Sequence, residues 1–153
     1  MIAIPLTRNK FALIDDCDYW LVQPFTWYAF KSGKQWYAAT KFPRPSHETA
    51  LLHRLLAGFP PFQLDHKNGN GLDCRRRNLR PATPSQNGAN RTKQRNNKSG
   101  YKGVYKDARR KEWYAAIRSG GFGYYLGSFS NPIAASGAYH MAANLCFGEF
   151  ARI

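Results

Sequence analysis

The stretch Leu64 to Arg91, LDHKNGNGLDCRRRNLRPATPSQNGANR, constrains the backbone more than any other part of the 153-residue chain. Its Asn68-Gly69 and Asn70-Gly71 pairs accept positive φ, so a tight loop is expected after a short strand at Asp65 and His66. A second short strand is expected around Leu79 to Ala82, running into a helix. Thr83 fits the N-cap of that helix, Pro84 its first position, where a missing N–H costs nothing, and Gln86 its third, which together make a capping box. Asn87 therefore falls in the first turn.

Upstream, residues 1–45 read as short strands; among them FTWYAF (Phe25 to Phe30) and QWYAAT (Gln35 to Thr40) are aromatic-rich with a hairpin turn at Ser32-Gly33, and Pro43 and Pro45 close that sheet. Ser46 fits the N-cap of a helix that carries Leu51, Leu52, Leu55 and Leu56 on one face and stops at Gly58. His53, on the edge of this stripe, reads as a packing residue rather than a ligand. Downstream, TKQRNNKS (Thr92 to Ser99) has no apolar side chain and reads as a basic linker. Strand-like runs follow at Gly103 to Lys106, Trp113 to Arg118 and Tyr124 to Phe129, and Asn131-Pro132 caps a helix that ends before Gly148. Along it Ala134, Ala138 and Ala142 recur every four residues, a small-residue stripe that lets a helix approach a sheet closely. Period two puts Trp113, Ala115 and Ile117 on the core face and Tyr114, Ala116 and Arg118 on the outward one; Tyr124 and Leu126 share a core parity, leaving Tyr125 outward. The expected class is α+β: an N-terminal β-hairpin plus helix (1–58), a central ββα unit (59–91), a linker (92–99), and a C-terminal three-stranded antiparallel sheet packed on one helix (100–153).

KQWYAA (Lys34 to Ala39) and KEWYAA (Lys111 to Ala116) share five of six residues, and both precede an amphipathic helix. Either residues 1–58 are a degenerate copy of the C-terminal module, with Lys41 in the place of Arg118, or aromatic hairpins simply resemble one another.

The formal net charge is +14, from 23 Lys plus Arg against 9 Asp plus Glu, a self-repulsion tolerated mainly when the partner is a polyanion. Between Arg75 and Arg118, 14 Lys or Arg stand against Asp107 and Glu112, which is +12 of the total. A membrane-surface helix would interleave large apolar residues, and RTKQRNNK (Arg91 to Lys98) has none, so polyphosphate is the better partner. No run of 18 apolar residues exists, so no membrane span is expected. The start, MIAIPLTRNK, lacks a signal-peptide layout, and a cytoplasmic location is expected. Cys17, Cys74 and Cys146 are far apart with no CxxC pair, which disfavours a disulfide framework and a thiolate zinc site.

Cutting a phosphodiester needs an activated water, charge neutralisation at the phosphate and help for the leaving oxygen. Asp65 supplies a carboxylate and Asn87 an amide oxygen, hard donors that suit Mg²⁺ and leave most of its octahedron to water and phosphate. His66 is a neutral base near physiological pH. The first helical turn also brings the positive end of its dipole to Asn87.

Asp65-His66, then Asn78 twelve residues after the His, then Asn87 nine further on, resembles the HNH (ββα-metal) endonucleases in the H-N-N variant of phage and intron homing enzymes. LLHRLL before the motif and RRRNLRPATPSQNGANR after the loop extend the likeness. The resemblance implies His66 as general base, Asp65 and Asn87 as ligands of a single Mg²⁺ or Mn²⁺, and Asn78 as the brace that fixes the His. Many relatives have His where Asn87 stands, which argues against zinc; Cys74 stands where similar sequences usually have Asn. Residues 100–149, with GYKGV, WYAAIR, YLGSF and an Ala-rich helix, are similar to the Apetala-type (ethylene-responsive-factor) DNA-binding domain, which lays a three-stranded sheet in the major groove. By position Lys102, Arg118 and Tyr125 match contacting places in that family. Tyr105 and Ala116 replace an Arg and a Glu of plant members, so the plant target does not transfer.

The expectation is a metal-dependent endonuclease acting on double-stranded DNA, nicking at a long, loosely specified site, as a monomer or a DNA-assembled dimer in the cytoplasm of a bacterial host, with no small-molecule cofactor. Arg75, Arg76, Arg77, Lys106, Arg109, Arg110 and Lys111 are assigned to phosphates, and Arg80, Arg91 and Tyr105 join the DNA-binding set. The rivals are a DNA-binding protein whose nuclease motif is inactive and a protein directed at RNA.

Overall fold

Alternating side chains at the start of the chain build two of the short strands expected there, paired as a hairpin: β1 (Ile2–Leu6) runs antiparallel to β2 (Lys10–Ile14), burying Ile4, Leu6, Ala12 and Ile14 on one face. The structure is a computed structural model and describes residues 1–153 apart from Arg44 and His47. It divides into two units, Met1–Ala82 and Thr83–Ile153.

In the first unit a 3-10 turn (Asp16–Asp18) and α1 (Tyr19–Val22) lead into a three-stranded antiparallel sheet in the order β3 (Tyr28–Ser32), β4 (Gln35–Lys41), β5 (Thr49–Leu51). Gly33, with φ +58, supplies the left-handed turn between β3 and β4. Ala29 and Ala38 pack with the β1–β2 face and Trp27, whose indole N–H donates to the Val22 carbonyl at 2.9 Å.

The helix expected from Ser46 begins later. Thr49 to Leu51 instead complete the edge of β4, with Ala50 opposite Thr40, and α2 spans only Leu52–Leu56. Pairing with an open strand edge satisfies those backbone groups before helical bonds can start. The leucine stripe survives in part, Leu52 and Leu56 being buried one turn apart. A two-stranded ribbon, β6 (Gln63–His66) with β7 (Leu79–Ala82), completes the unit.

The second unit opens with α3 (Pro84–Ala89), capped by Thr83: its hydroxyl accepts from the Gln86 N–H at 3.2 Å while the Gln86 side chain accepts from the Thr83 N–H at 2.8 Å. Residues 92–99 carry neither helix nor strand. β8 (Val104–Lys106), β9 (Trp113–Ser119) and β10 (Phe122–Phe129) form an antiparallel sheet with β9 at its centre, packed on α4 (Pro132–Phe147). The Asn131 side chain caps α4 by accepting from the Ala134 N–H at 2.9 Å.

Two details differ from the sequence reading. The fully buried row of α4 is Ala135, Tyr139 and Ala143, one residue on from the expected stripe, with Ala138 and Ala142 packed at its margin. Tyr124 has the parity of Ile117 yet is 49% exposed, because it lies towards the end of β10 that carries Phe122, itself 69% exposed, away from the Val104–Ala115–Tyr139 core. The two WYAA segments both form central strands, β4 and β9, of three-stranded sheets with the same strand order.

Candidate functional site

β6 and β7 place Asp65 opposite Arg80, so both side chains emerge on one face of the ribbon while His66 turns to the other. Asp65 and Arg80 are 4% and 8% exposed, and the Arg80 Nε and Nη2 both reach Asp65 Oδ2 at 2.9 Å. A buried guanidinium thus neutralises the buried carboxylate and fixes its orientation.

The loop that follows is closed by its own side chains. Asn78 accepts through Oδ1 from the Asn68 N–H at 3.0 Å and donates through Nδ2 to the Asp73 carbonyl at 2.7 Å. Its backbone carbonyl accepts from the Lys67 N–H at 2.8 Å, next to His66. Asn68 Nδ2 donates to Asp73 Oδ2 at 2.8 Å, and the Arg75 guanidinium clasps the same carboxylate at 2.7 and 2.6 Å. That clasp holds the Asp73 carboxyl below the usual carboxylate range against the opposing effect of burial. Asn78 and Asp73 together set the loop geometry that begins at His66.

His66 is 7% exposed and meets two other rings: His53 at 4.9 Å between centroids, edge to face, and Tyr37 at 6.0 Å. Burial lowers its pKa to about 4, with Asp65 and Asp73 pulling the other way, so the ring is a neutral proton acceptor at physiological pH. His53 is equally buried, and its Nδ1 has no hydrogen-bond partner among the described residues. It packs, as its place on the stripe implies, but against His66. Tyr37 and His53 carry no local sequence signal for this role, because strand β4 and helix α2 bring them to β6 only through the fold. Cys74 is buried in the first unit's core, where burial pushes its thiol up to about 12, leaving an inert packing group.

Asp65, His66 and Asn78 all lie in the first unit, Asp65 and His66 on opposite faces of the ribbon and Asn78 bonded within the loop that follows, whereas Asn87 lies in the first turn of α3 in the second. Both candidate ligands offer oxygen donors, the set that suits a hard divalent cation. Among the described residues no three His, Cys, Asp or Glu side chains form a metal-holding group.

The cations assigned to DNA fall into two classes. Arg75 and Arg80 are held by Asp73 and Asp65, and Arg76 grips the buried Asp18 through Nε at 3.0 and 3.1 Å and also through Nη2. In the second unit Lys102 spends its ammonium on the carbonyls of Ala89 and Arg152, and burial, then the Arg152 charge, lowers its pKa. Arg77, Arg91, Lys106, Arg109, Arg110 and Arg118 are exposed. On the sheet face away from α4, Tyr105, Tyr114 and Tyr125 form a ladder, with ring centroids 5.3 Å apart at 24° and then 6.3 Å apart at 34°. The Tyr125 hydroxyl shares a 2.7 Å hydrogen bond with Ser128. No family model, curated protein or solved structure matches the chain.

Proposed function

We propose that the chain is a metal-dependent endonuclease that hydrolyses a phosphodiester in double-stranded DNA. The observation that carries this reading is the closed loop: a buried neutral imidazole at the end of β6, a carboxylate beside it in the chain, and Asn78, at the end of the loop between β6 and β7, bonded back to Asn68 and Asp73. His66 accepts a proton from the attacking water at a ring nitrogen, and the Asn78 bonds fix the loop that leads away from it. Arg80 orients Asp65 so that the carboxylate is set before the substrate arrives. Within the first unit Asp65 is the residue that would hold a Mg²⁺ or Mn²⁺, which when bound would offset charge on the phosphate and the leaving oxygen. The tyrosine ladder and the exposed Arg118, Lys106, Arg109 and Arg110 form the duplex-facing side of the second unit. One site per chain makes nicking the expected product.

The test is incubation of supercoiled plasmid and phage genomic DNA with Mg²⁺, with EDTA, and with His66→Ala. Nicking that needs the metal and falls about 100-fold or more in the variant is expected from loss of a general base. A second reading, DNA binding without cutting, draws on the Asp65–Arg80 pair, since a carboxylate already shared with a guanidinium is a weaker metal ligand. Tight duplex binding with no metal-dependent cut in any DNA selects that reading.

A further inference from the structure

Cations that serve the architecture of the first unit are matched to acids: Arg75 to Asp73, Arg76 to Asp18, Arg80 to Asp65, and the terminal ammonium to Asp16. One group is not. Lys10, Lys31 and Arg8 converge on the indole of Trp36, at 4.6, 5.5 and 5.7 Å from the ring centroid, and no carboxylate among the described residues pairs with any of them. A single aromatic ring attracts a cation but does not cancel the mutual repulsion of three. Nor does the turn itself call for an arginine. Arg8 sits at φ +62, in the left-handed region where glycine or asparagine is the economical choice, and its side chain is exposed.

The cluster also has a place. The β1–β2 turn is tied to β3 by the Ala29 N–H donating to the Thr7 hydroxyl at 3.0 Å, and Lys31 stands directly opposite Trp36 in the β3–β4 register. Next to Trp36, the Gln35 amide donates to the Gly69 carbonyl at 2.8 Å, so the strand that bears the indole is bonded to the loop that begins at His66. At Gly71 that loop lies against Trp36 so closely that a Cβ would stand 2.5 Å from the Trp36 carbonyl oxygen.

We propose that Arg8, Lys10 and Lys31, gathered on Trp36, form a backbone-phosphate contact surface for duplex DNA beside the His66 loop. This site rests on the DNA-directed reading above but not on cleavage. It takes over in the first unit the grip that the sequence assigns to Arg75, Arg76 and Arg80, whose charges are spent on aspartates. The like charges repel until a polyanion is present, and displaced counterions then drive association.

The experiment is fluorescence anisotropy of a short labelled DNA duplex with the full chain over a salt series, comparing Arg8→Gln/Lys10→Gln/Lys31→Gln with the parent. The slope of log affinity against log salt should become shallower by about 0.9 for each cation removed, with unchanged thermal unfolding. Lys10→Arg/Lys31→Arg, which keeps the charge, should retain the parent slope. An unchanged slope in the glutamine variant overturns the proposal. An equal change in Lys41→Gln, on the same sheet but outside the cluster, overturns it as a mere effect of net charge. So does a loss confined to duplex RNA. Failure to nick would refute the nuclease reading while leaving this readout intact.

Discussion

Burial, with His66 and then Arg54 adding to it, lowers the His53 pKa from 6.5 to about 3, whereas in the unfolded chain the same ring takes up a proton near 6.5. The unfolded state therefore binds more protons below 6.5. The contribution is fully present above that pH and is lost as pH falls from 6.5 towards about 3, at about 1.4 kcal/mol per pH unit. His53→Leu should flatten this part of the urea-unfolding stability profile between pH 6.5 and 4.5, and parallel profiles would refute the assignment. Asn78→Ala leaves the Asn68 N–H and the Asp73 carbonyl without their buried partner, an expected loss of about 2–3 kcal/mol in urea unfolding and, on the proposed nuclease reading, a fall in nicking larger than the fraction of unfolded protein explains. The loop that links His66 to Asn78 is legible from chain spacing, because its Asn-Gly pairs and the Asn78 bonds reach only a few residues. The engagement of Arg76 is not, since Asp18 lies 58 residues away and meets it only after the first unit has folded.

Local chemistry decides where some elements begin and long-range pairing decides others. The start of α3 and both ends of α4 can be read from Thr83, Gln86, Asn131 and Gly148 because capping bonds reach only a few residues. The start of α2 cannot, because β4 draws Thr49 to Leu51 into strand pairing. The bounds of β1 and β2, inside a stretch that reads as short strands, are not marked either: their turn holds Arg8 and Asn9 at positive φ with no glycine. Glycine does mark the contact between β8 and α4. Gly103, at φ +69, would place a Cβ 2.0 Å from the Tyr139 ring, whereas Gly120, at φ +59, has open space around it. Gly120→Ala should cost about 1 kcal/mol for its backbone conformation, and Gly103→Ala at least about 3 kcal/mol, since the core tyrosine must move as well. Urea unfolding of the two variants checks the ranking; equal losses would contradict the close contact.

At the scale of the whole chain, +14 of net charge and two units that both bear exposed cations make salt the decisive variable. Duplex affinity should fall by about 10³ or more between 50 and 200 mM salt if six or more phosphates are contacted, and an anisotropy titration showing a flat response would rule out polyanion recognition. The concentration of charge between Arg75 and Arg118 is plain in the sequence, but which of those cations remain available is a property of tertiary ion pairs. The tyrosine ladder sets a further limit on what the sheet can grip. Its central ring, Tyr114, has a neighbouring ring on either side, so a nucleobase swung out of a melted bubble finds no open aromatic shelf there. On the proposed reading, the rings of this row left open to a bound duplex are the outer two, Tyr105 and Tyr125.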